Sequence, residues 1–520
     1  MLLNDAGSLA RTKGRSRTVI VGSGAVGLYA ARELARLGED VVVVESGGVG
    51  LGGFAPESFA SIGWKHDGIR VGRSRSLGGT TNLWGGQLVE FQPVDFMGRN
   101  GLPWPVSYDE IAPHYARTYV RLGIPAEAQD DGSVLDHVLG ARPRFEQGLE
   151  LFLTRWLKIP SFAVAFDQEL RSSSRLRVVL NHTAVGFHGE GGAVTAIRVA
   201  GPNGEVRAIE ADRFVLAAGT FEIVRLLLHA AQDWRCPWRD NPNIGAGFTD
   251  HLGGPVATVH ALNPKRFYDT FSTIVWASHK YQPKVRLTNE TLERTRGLSI
   301  HGMFSFESSV SENLVYLRQF IKAALYSRRI SGVADLLRNV RACGRYLVPL
   351  MWKYLVEHRV FIPSTSKISL VVQAEQWRQA ASRITIDPSH RDANGVPRVV
   401  LDWRLSGEEL PAIHDFATRC DRALQAAGLA RLDLFEDLVR QEPRFLTTLS
   451  DTNHQGGGAC MSRSPDHGVV DRDLRVFRTD NLYVLGAATF PTNSGANTTF
   501  TALAFADRLV DHLASTHANA

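Results

Sequence analysis

Residues 18–45, TVIVGSGAVGLYAARELARLGEDVVVVE, constrain the fold of this chain more than any other stretch. Residues 19–21 are a continuous apolar run, as expected of a parallel strand buried on both faces. Gly22, Gly24 and Gly27 follow as GxGxxG, and Val26, Tyr29, Ala30, Leu34 and Leu37 then recur on or near one face of a helix. A second apolar run over 41–44 ends at Glu45. The first glycine permits a tight turn, the second lets a pyrophosphate approach the backbone, and the third brings helix and sheet together. The helix N-terminus offers free N–H groups and a favourable dipole to phosphates. Glu45, eighteen residues after Gly27, is placed to accept from a ribose 2′-hydroxyl. The pattern predicts a dinucleotide site; the acid argues against NADP and leaves NAD and FAD open.

The 520 residues exceed one ordinary domain, so two or three lobes are expected. With 44% hydrophobic and 21% charged residues, the chain has the composition of a soluble protein. Its four cysteines show neither a disulfide framework nor a CxxC pair, which points to a reducing cytoplasm and to no metal site. The basic N-terminus has no apolar core of a secretory signal, and no apolar run approaches the roughly 20 residues that span a bilayer. A net charge of +5 is modest for this length and does not indicate nucleic acid.

Glycine clusters at 46–53 and at 77–87, LGGTTNLWGGQ, read as loops, followed by a helix over 109–122. Residues 176–199 read as a β-meander. The run FVLAAGTFEIVRLLL, 214–228, is a second buried strand that turns at Gly219 into a helix. Strands are expected within 255–306 and over 367–373, 382–387 and 396–403, and a helix over 407–426. Between them, 311–360 is helical in pattern and carries nine Lys/Arg against three acids. It suits an interfacial helix on anionic lipid, a cover over an anionic glycoconjugate, or a lid or oligomer face with a solvated basic side.

A return strand beside the first, as at 214–228, is a feature of FAD folds that NAD dehydrogenases seldom need. With it the chain resembles the glucose–methanol–choline (GMC) oxidoreductase family. The resemblance rests on the βαβ unit, LGGTTNLWGGQ, FVLAAGTFEIVRLLL, NPNIGAGFTDH, SRITID…DANGVPRVVLDWRLS, HQGGGACM and NLYVLGAATFPTNSGANTTFTALAFADRL, in family order. It implies an α/β, Rossmann-like FAD-binding domain of GMC type with an α+β substrate lobe built on an antiparallel sheet. The implied divisions are 1–254 for the first FAD-binding part, with cover loops over 77–130, then 255–445 for the substrate domain with its insertion 311–360, and 446–520 for the second FAD-binding part.

Residue by residue, the resemblance implies that Gly22, Gly24, Gly27 and Glu45 bind the ADP part of FAD and that Val185 meets the adenine through its backbone. Gly78, Gly79, Asn82, Trp84 and Gly85 would lie along the flavin, and Gly219 at the turn of the return strand. Gly486, Ala487, Thr498 and Thr499 would approach the pyrophosphate and isoalloxazine. Some relatives attach FAD through a histidine in the glycine loop; Leu83 stands at that position here, which implies non-covalent FAD.

The resemblance also places His454 over the flavin, where neutral imidazole can accept an alcohol proton while hydride leaves carbon. Asn497, before the last helix, would hold the oxygen as it becomes a carbonyl. Many relatives carry a second histidine there, so asparagine brings this chain nearer the pyranose- and sterol-oxidising branches. His251 reads as structural. Gln373, with Glu375 and Gln376, marks a polar strand end suited to a sugar hydroxyl. The expected activity is oxidation of a secondary hydroxyl of a polyol, sugar or glycoside to a ketone, with oxygen or a quinone as acceptor. Oxidation of a sterol or primary, choline-like alcohol is the alternative within the family; a flavin monooxygenase, an NAD dehydrogenase and a non-catalytic binding module are alternatives outside it.

Overall fold

The computed structural model describes residues 2–3, 16–54, 58–98, 103–140, 144–233, 236–307 and 347–518. The first nucleotide unit forms the centre of a mainly parallel sheet. Ser16–Val21 lies between Val41–Val44 and the end of Val206–Leu216, with Thr18 opposite Val41 and Val19 opposite Phe214. The sheet continues through Leu176–Val179 to Leu2–Leu3 on one side and to Leu482–Val484 on the other. Val19, Ile20 and Val41 to Val43 are fully buried, which is why this run is apolar without alternation. Helix Ala25–Arg36 packs against the last helix, Thr498–Ala518, and Tyr29 Oη donates to Asp507 Oδ1 at 2.8 Å between them.

The meander expected over 176–199 divides in two. Leu176–Val179 joins the parallel sheet, and only Thr183–Glu190 and Ala193–Ala200 form an antiparallel hairpin. Asn181, at φ 58°, turns the chain from the parallel strand into the hairpin, which joins the same sheet through Val206–Leu216, in a left-handed conformation that asparagine tolerates. Local alternation cannot separate these strands, because the parallel partner Val41–Val44 lies far away in sequence.

A second sheet is antiparallel throughout. Its order is Ala430–Leu434, Leu252–Ala261, Lys367–Ala374, Ile300–Glu307, His279–Leu287, Leu149–Trp156 and Gln87–Leu88. The expected division at residue 254 is therefore crossed, since the last two strands come from the first span. Helix Glu409–Ala426 buries Leu410, Ile413, Phe416 and Leu424. The sheet gives way to that face at Gly302, where a Cβ would stand 3.0 Å from the Phe416 ring. Each such fully buried apolar side chain contributes about 1.5–3 kcal/mol.

Phe59–Gly63 pairs in parallel with Pro397–Trp403, which returns antiparallel to Arg383–Arg391. The turn between the last two is closed by Asp392 Oδ1, which accepts the N–H groups of Asn394 and Val396. Of the basic segment 311–360, residues 311–346 lie outside the described residues; Leu347–Leu355 is helical.

Candidate active site

A cavity of about 720 Å³ opens between the first sheet, the glycine loop, the 392–396 turn and the C-terminal segments. Ligand sites usually measure ~300–1,000 Å³. Gly22 follows the first strand at φ +100°, and a Cβ there would stand 2.6 Å from the Ala217 carbonyl oxygen. Conformation and space both demand glycine. At Gly27 a Cβ would fall 2.1 Å from the Gly22 carbonyl oxygen, so the helix rests directly on the turn. Gly24 differs: it lines the cavity, and a Cβ would meet no atom within 4 Å. That open space at a helix N-terminus fits a phosphate.

Glu45 lines the same end of the cavity. Its Oε2 accepts from Ser23 N (3.0 Å) and Ser23 Oγ (2.7 Å), and its Oε1 accepts from Gly47 N (2.8 Å). Burial raises its pKa against the pull of these bonds. Gly219, Gly486, Ala487, Thr498 and Thr499 line the cavity as well, as do Gly79, Trp84 and Gly85 of the glycine loop. The Asn497 Oδ1 atom is buried without a hydrogen-bond partner at the start of the last helix. This set fits FAD: a glycine cradle for phosphates, an acid for ribose, and backbone N–H groups at a helix start.

Four expected contacts stand behind this lining. Gly27 is covered by the turn that it supports. Gly78, at φ 88°, and Asn82 shape the glycine loop; Asn82 Nδ2 donates to Leu77 O (2.8 Å) and its Oδ1 accepts from Ser161 Oγ (2.6 Å). Val185 packs with Ala200 and Val396, while its neighbours Thr183 and Ala184 reach the cavity.

His454 and Asn497 line one cavity although forty-three residues separate them. The His454 ring is half-buried, with Nδ1 2.8 Å from Thr452 Oγ1 and 3.1 Å from Gln373 Nε2. Desolvation, reinforced by His251 and Lys284, pushes its pKa down to about 3. The imidazole is therefore neutral and able to accept a proton. His251 is fully buried, and burial lowers its pKa too.

Gln373, expected to meet a substrate hydroxyl, does not line the cavity. Its Nε2 lies 2.7 Å from His251 Nδ1 and 3.3 Å from Gly495 O, so its amide serves the histidines. Glu375 and Gln376 are also used internally: Glu375 Oε2 accepts from Ser299 N (2.9 Å), and Gln376 Oε1 from Trp403 Nε1 (2.7 Å).

Several lining residues had no signal in the sequence. Gln87 and Trp156 reach the cavity from the second sheet, and Arg75, His182 and Thr452 from loops. Asp392 to Asn394 belong to the DANG motif, which reads locally only as a turn. Behind Gln87, Lys284 Nζ donates to Gln87 Oε1 at 3.0 Å, and burial pushes the Lys284 pKa down to about 8. His66, Asp250 and Asp451 converge closely enough to ligate an ion. They are engaged otherwise: His66 bonds Asp250 at 3.0 Å, and Asp451 accepts the N–H groups of Asp67 and Gly68.

Residues 17–237 match a family model described as FAD dependent oxidoreductase, and residues 379–506 one described as GMC oxidoreductase. The chain is 25% identical to paromamine 6'-oxidase of Streptomyces fradiae, over 94% of this chain and 90% of that protein. It is 27% identical to C-glycoside 3-oxidase of Arthrobacter globiformis over 25% of this chain and 24% of the other. Among solved structures, pyridoxine 4-oxidase from Mesorbium loti superimposes with a TM-score of 0.57 at 17% identity, covering 96% of this chain and 99% of that one. That likeness carries the fold. The two matched segments contain the glycine cradle and the His454–Asn497 pair, and the chain belongs to the GMC family of FAD-dependent oxidoreductases acting on CH–OH groups.

Proposed function

We propose that the chain oxidises a secondary hydroxyl of a sugar or glycoside to a ketone, with His454 as proton acceptor and Asn497 as the group that holds the reacting oxygen. One observation carries this reading: His454 is a neutral imidazole on the wall of the cavity that also contains the glycine cradle and Asn497. Bound FAD supplies the hydride acceptor. His454 takes the hydroxyl proton as the carbon–hydrogen bond breaks. Asn497 has a free Oδ1 beside an amide that can donate to the developing carbonyl. Trp156 and Gln87 give this end of the cavity one aromatic and one polar wall, as ring faces and hydroxyls require. The similarity to paromamine 6'-oxidase and C-glycoside 3-oxidase supports a carbohydrate, and the two names differ in the position oxidised.

Anaerobic bleaching of bound flavin by a panel of sugars, glycosides, sterols and simple alcohols, followed by air, tests the substrate class and the acceptor. Bleaching by sterols or monohydric alcohols alone overturns the carbohydrate reading. Reoxidation by air identifies an oxidase; persistence of the reduced flavin until a quinone is added identifies a dehydrogenase. His454→Ala is expected to retain FAD and to lose bleaching, and unchanged turnover removes His454 from its role.

Non-covalent FAD belongs to the same proposal, because Leu83, on the cavity wall, has no group for a flavin bond. So does a cytoplasmic enzyme with a peripheral membrane or oligomer contact through 311–360. Helix Leu347–Leu355 leaves Met351, Trp352 and Leu355 exposed, and no helix among the described residues is long and apolar enough to cross a membrane. Flotation with anionic vesicles, compared with a 311–360 deletion, separates lipid binding from self-association.

A further inference from the structure

The two nitrogens of His454 face different surroundings. Nδ1 lies between Thr452 Oγ1 and Gln373 Nε2, whereas Nε2 has no hydrogen-bond partner among the described residues. Neutral imidazole carries one proton, on either nitrogen. Only with that proton on Nδ1 is Nε2 free to accept another from a hydroxyl in the cavity. The Nδ1–H tautomer in turn needs an acceptor beside it.

The neighbours determine which acceptor exists. His251 Nε2 stands 3.2 Å from the Asn493 carbonyl, which can only accept, so His251 carries its proton on Nε2 and Nδ1 accepts. Gln373 Nε2 faces that Nδ1 at 2.7 Å and the Gly495 carbonyl at 3.3 Å. Both are acceptors, so the amide nitrogen of Gln373 points to them and its two hydrogens are used. At 3.1 Å from His454 Nδ1, Gln373 offers no lone pair. Thr452 Oγ1, at 2.8 Å, is the remaining group that can accept. A hydroxyl that accepts from Nδ1–H turns its own hydrogen elsewhere, and Thr452 lines the cavity.

We propose that Thr452 is a positioning residue that sets His454 in its Nδ1–H tautomer, and that a second oxygen of the substrate drives this by taking the Thr452 hydroxyl hydrogen. Without that oxygen, Thr452 donates to Nδ1 and the imidazole proton sits on Nε2, where it blocks proton acceptance. With it, the bond reverses. One proton then passes from the reacting hydroxyl to Nε2, Nδ1–H stays bonded to Thr452, and no bond at Nδ1 breaks. The substrate favoured is one with a hydroxyl or ring oxygen near the carbon oxidised, as in a sugar or vicinal diol. Thr452 acts in this way only if His454 is the proton acceptor proposed above.

Thr452→Val keeps the shape and removes the hydroxyl; Thr452→Ser keeps the hydroxyl. In the FAD-loaded enzyme, Thr452→Val is expected to slow anaerobic flavin reduction by a polyol at least about tenfold, within the ~10⁴-fold that a wrong histidine tautomer costs in a serine-protease triad. FAD content should be unchanged, and Thr452→Ser should return the rate to within a few fold. The ¹⁵N shifts of the His454 ring in histidine-labelled protein give a readout independent of turnover. With polyol bound, wild type should show a protonated Nδ1 and a free Nε2, and Thr452→Val the reverse. Wild-type rates and shifts in Thr452→Val, or a Thr452→Ser enzyme as slow as Thr452→Val, overturn the role of the hydroxyl. An inactive His454→Ala beside a fully active Thr452→Val rejects the tautomer role alone, whereas an active His454→Ala rejects the proton acceptor itself.

Discussion

Asp250 Oδ1 accepts the backbone N–H of His454 at 2.9 Å, and the same oxygen accepts the backbone N–H of His251 at 2.7 Å. The other oxygen, Oδ2, bonds His66 Nε2 at 3.0 Å. The Ile69 N–H points to His66 Nδ1 at 3.0 Å, so Nδ1 accepts and Nε2–H donates to the carboxylate. Burial raises the Asp250 pKa, but the His66 bond and nearby histidines hold it below the usual carboxylate value. One buried carboxylate thus fixes the backbone of both histidines.

Replacing that carboxylate should damage both fold and reaction. Asp250→Ala leaves three N–H groups without their acceptor, the backbones of His251 and His454 and the His66 ring, each costing about 1–3 kcal/mol. A lower melting temperature and a slower anaerobic flavin reduction are expected, with Asp250→Asn milder because Oδ1 is kept. Wild-type stability and rate in Asp250→Ala would exclude the anchoring role.

The proton-accepting role proposed for His454 should survive mild acidification. Its pKa in the folded chain is pushed to about 3, whereas a free histidine titrates near ~6.5. Flavin reduction followed by stopped flow between pH 5 and 8 should show no inflection from this residue. Because the unfolded chain binds the extra proton over the window between these values, His454 should make stability fall as pH drops through it. Denaturant titrations of wild type and His454→Gln at pH 7 and pH 5 measure that difference; an equal pH dependence contradicts it.

Burial makes Lys284 give up its proton more readily than a surface lysine. Its pKa of about 8 lies below the ~10.4 of an exposed lysine. Between these values the unfolded chain holds more protons, so Lys284 makes stability rise with pH from about 8 upward. Lys284→Met should raise the melting temperature at pH 7 and flatten its dependence above pH 8. A lower melting temperature would mean that the Gln87 bond outweighs the cost of the buried charge.

The glycines of the cradle should separate folding from cofactor binding. Gly27→Ala places a Cβ 2.1 Å from the Gly22 carbonyl oxygen and should yield unstable or insoluble protein. Gly24→Ala meets no protein atom within 4 Å and should fold. Its methyl group enters the open space proposed for phosphate, so FAD affinity should fall at least about tenfold, in line with 1.4 kcal/mol per decade. Fluorescence titration of FAD into the apoprotein measures this, and an unchanged affinity would move the phosphate elsewhere.

Much of the first sheet was legible in the residues themselves. Gly22, Gly24, Gly27 and Glu45 lie within one short unit, where turn, helix start and strand end are set by neighbours a few residues away. The sequence alone therefore determined a dinucleotide cradle, and the motifs HQGGGACM and NTTFTALAFADRL, taken with the family resemblance, identified the His454–Asn497 pair. Tertiary structure decided what those residues do in concert. Gln373 follows the alternation of its strand, but alternation says nothing of what a face meets; packing turned it toward His251 and His454 and away from the cavity. Leu149–Trp156 joined the second sheet because its partner, His279–Leu287, is brought alongside only by the folded chain. Asp250 reached His454 from 204 residues away, and His66 reached Asp250 from 184. Hydrogen bonds of that span leave no periodic trace, since they depend on distance in space; they hold the backbone of His454 in place, while burial keeps its ring neutral.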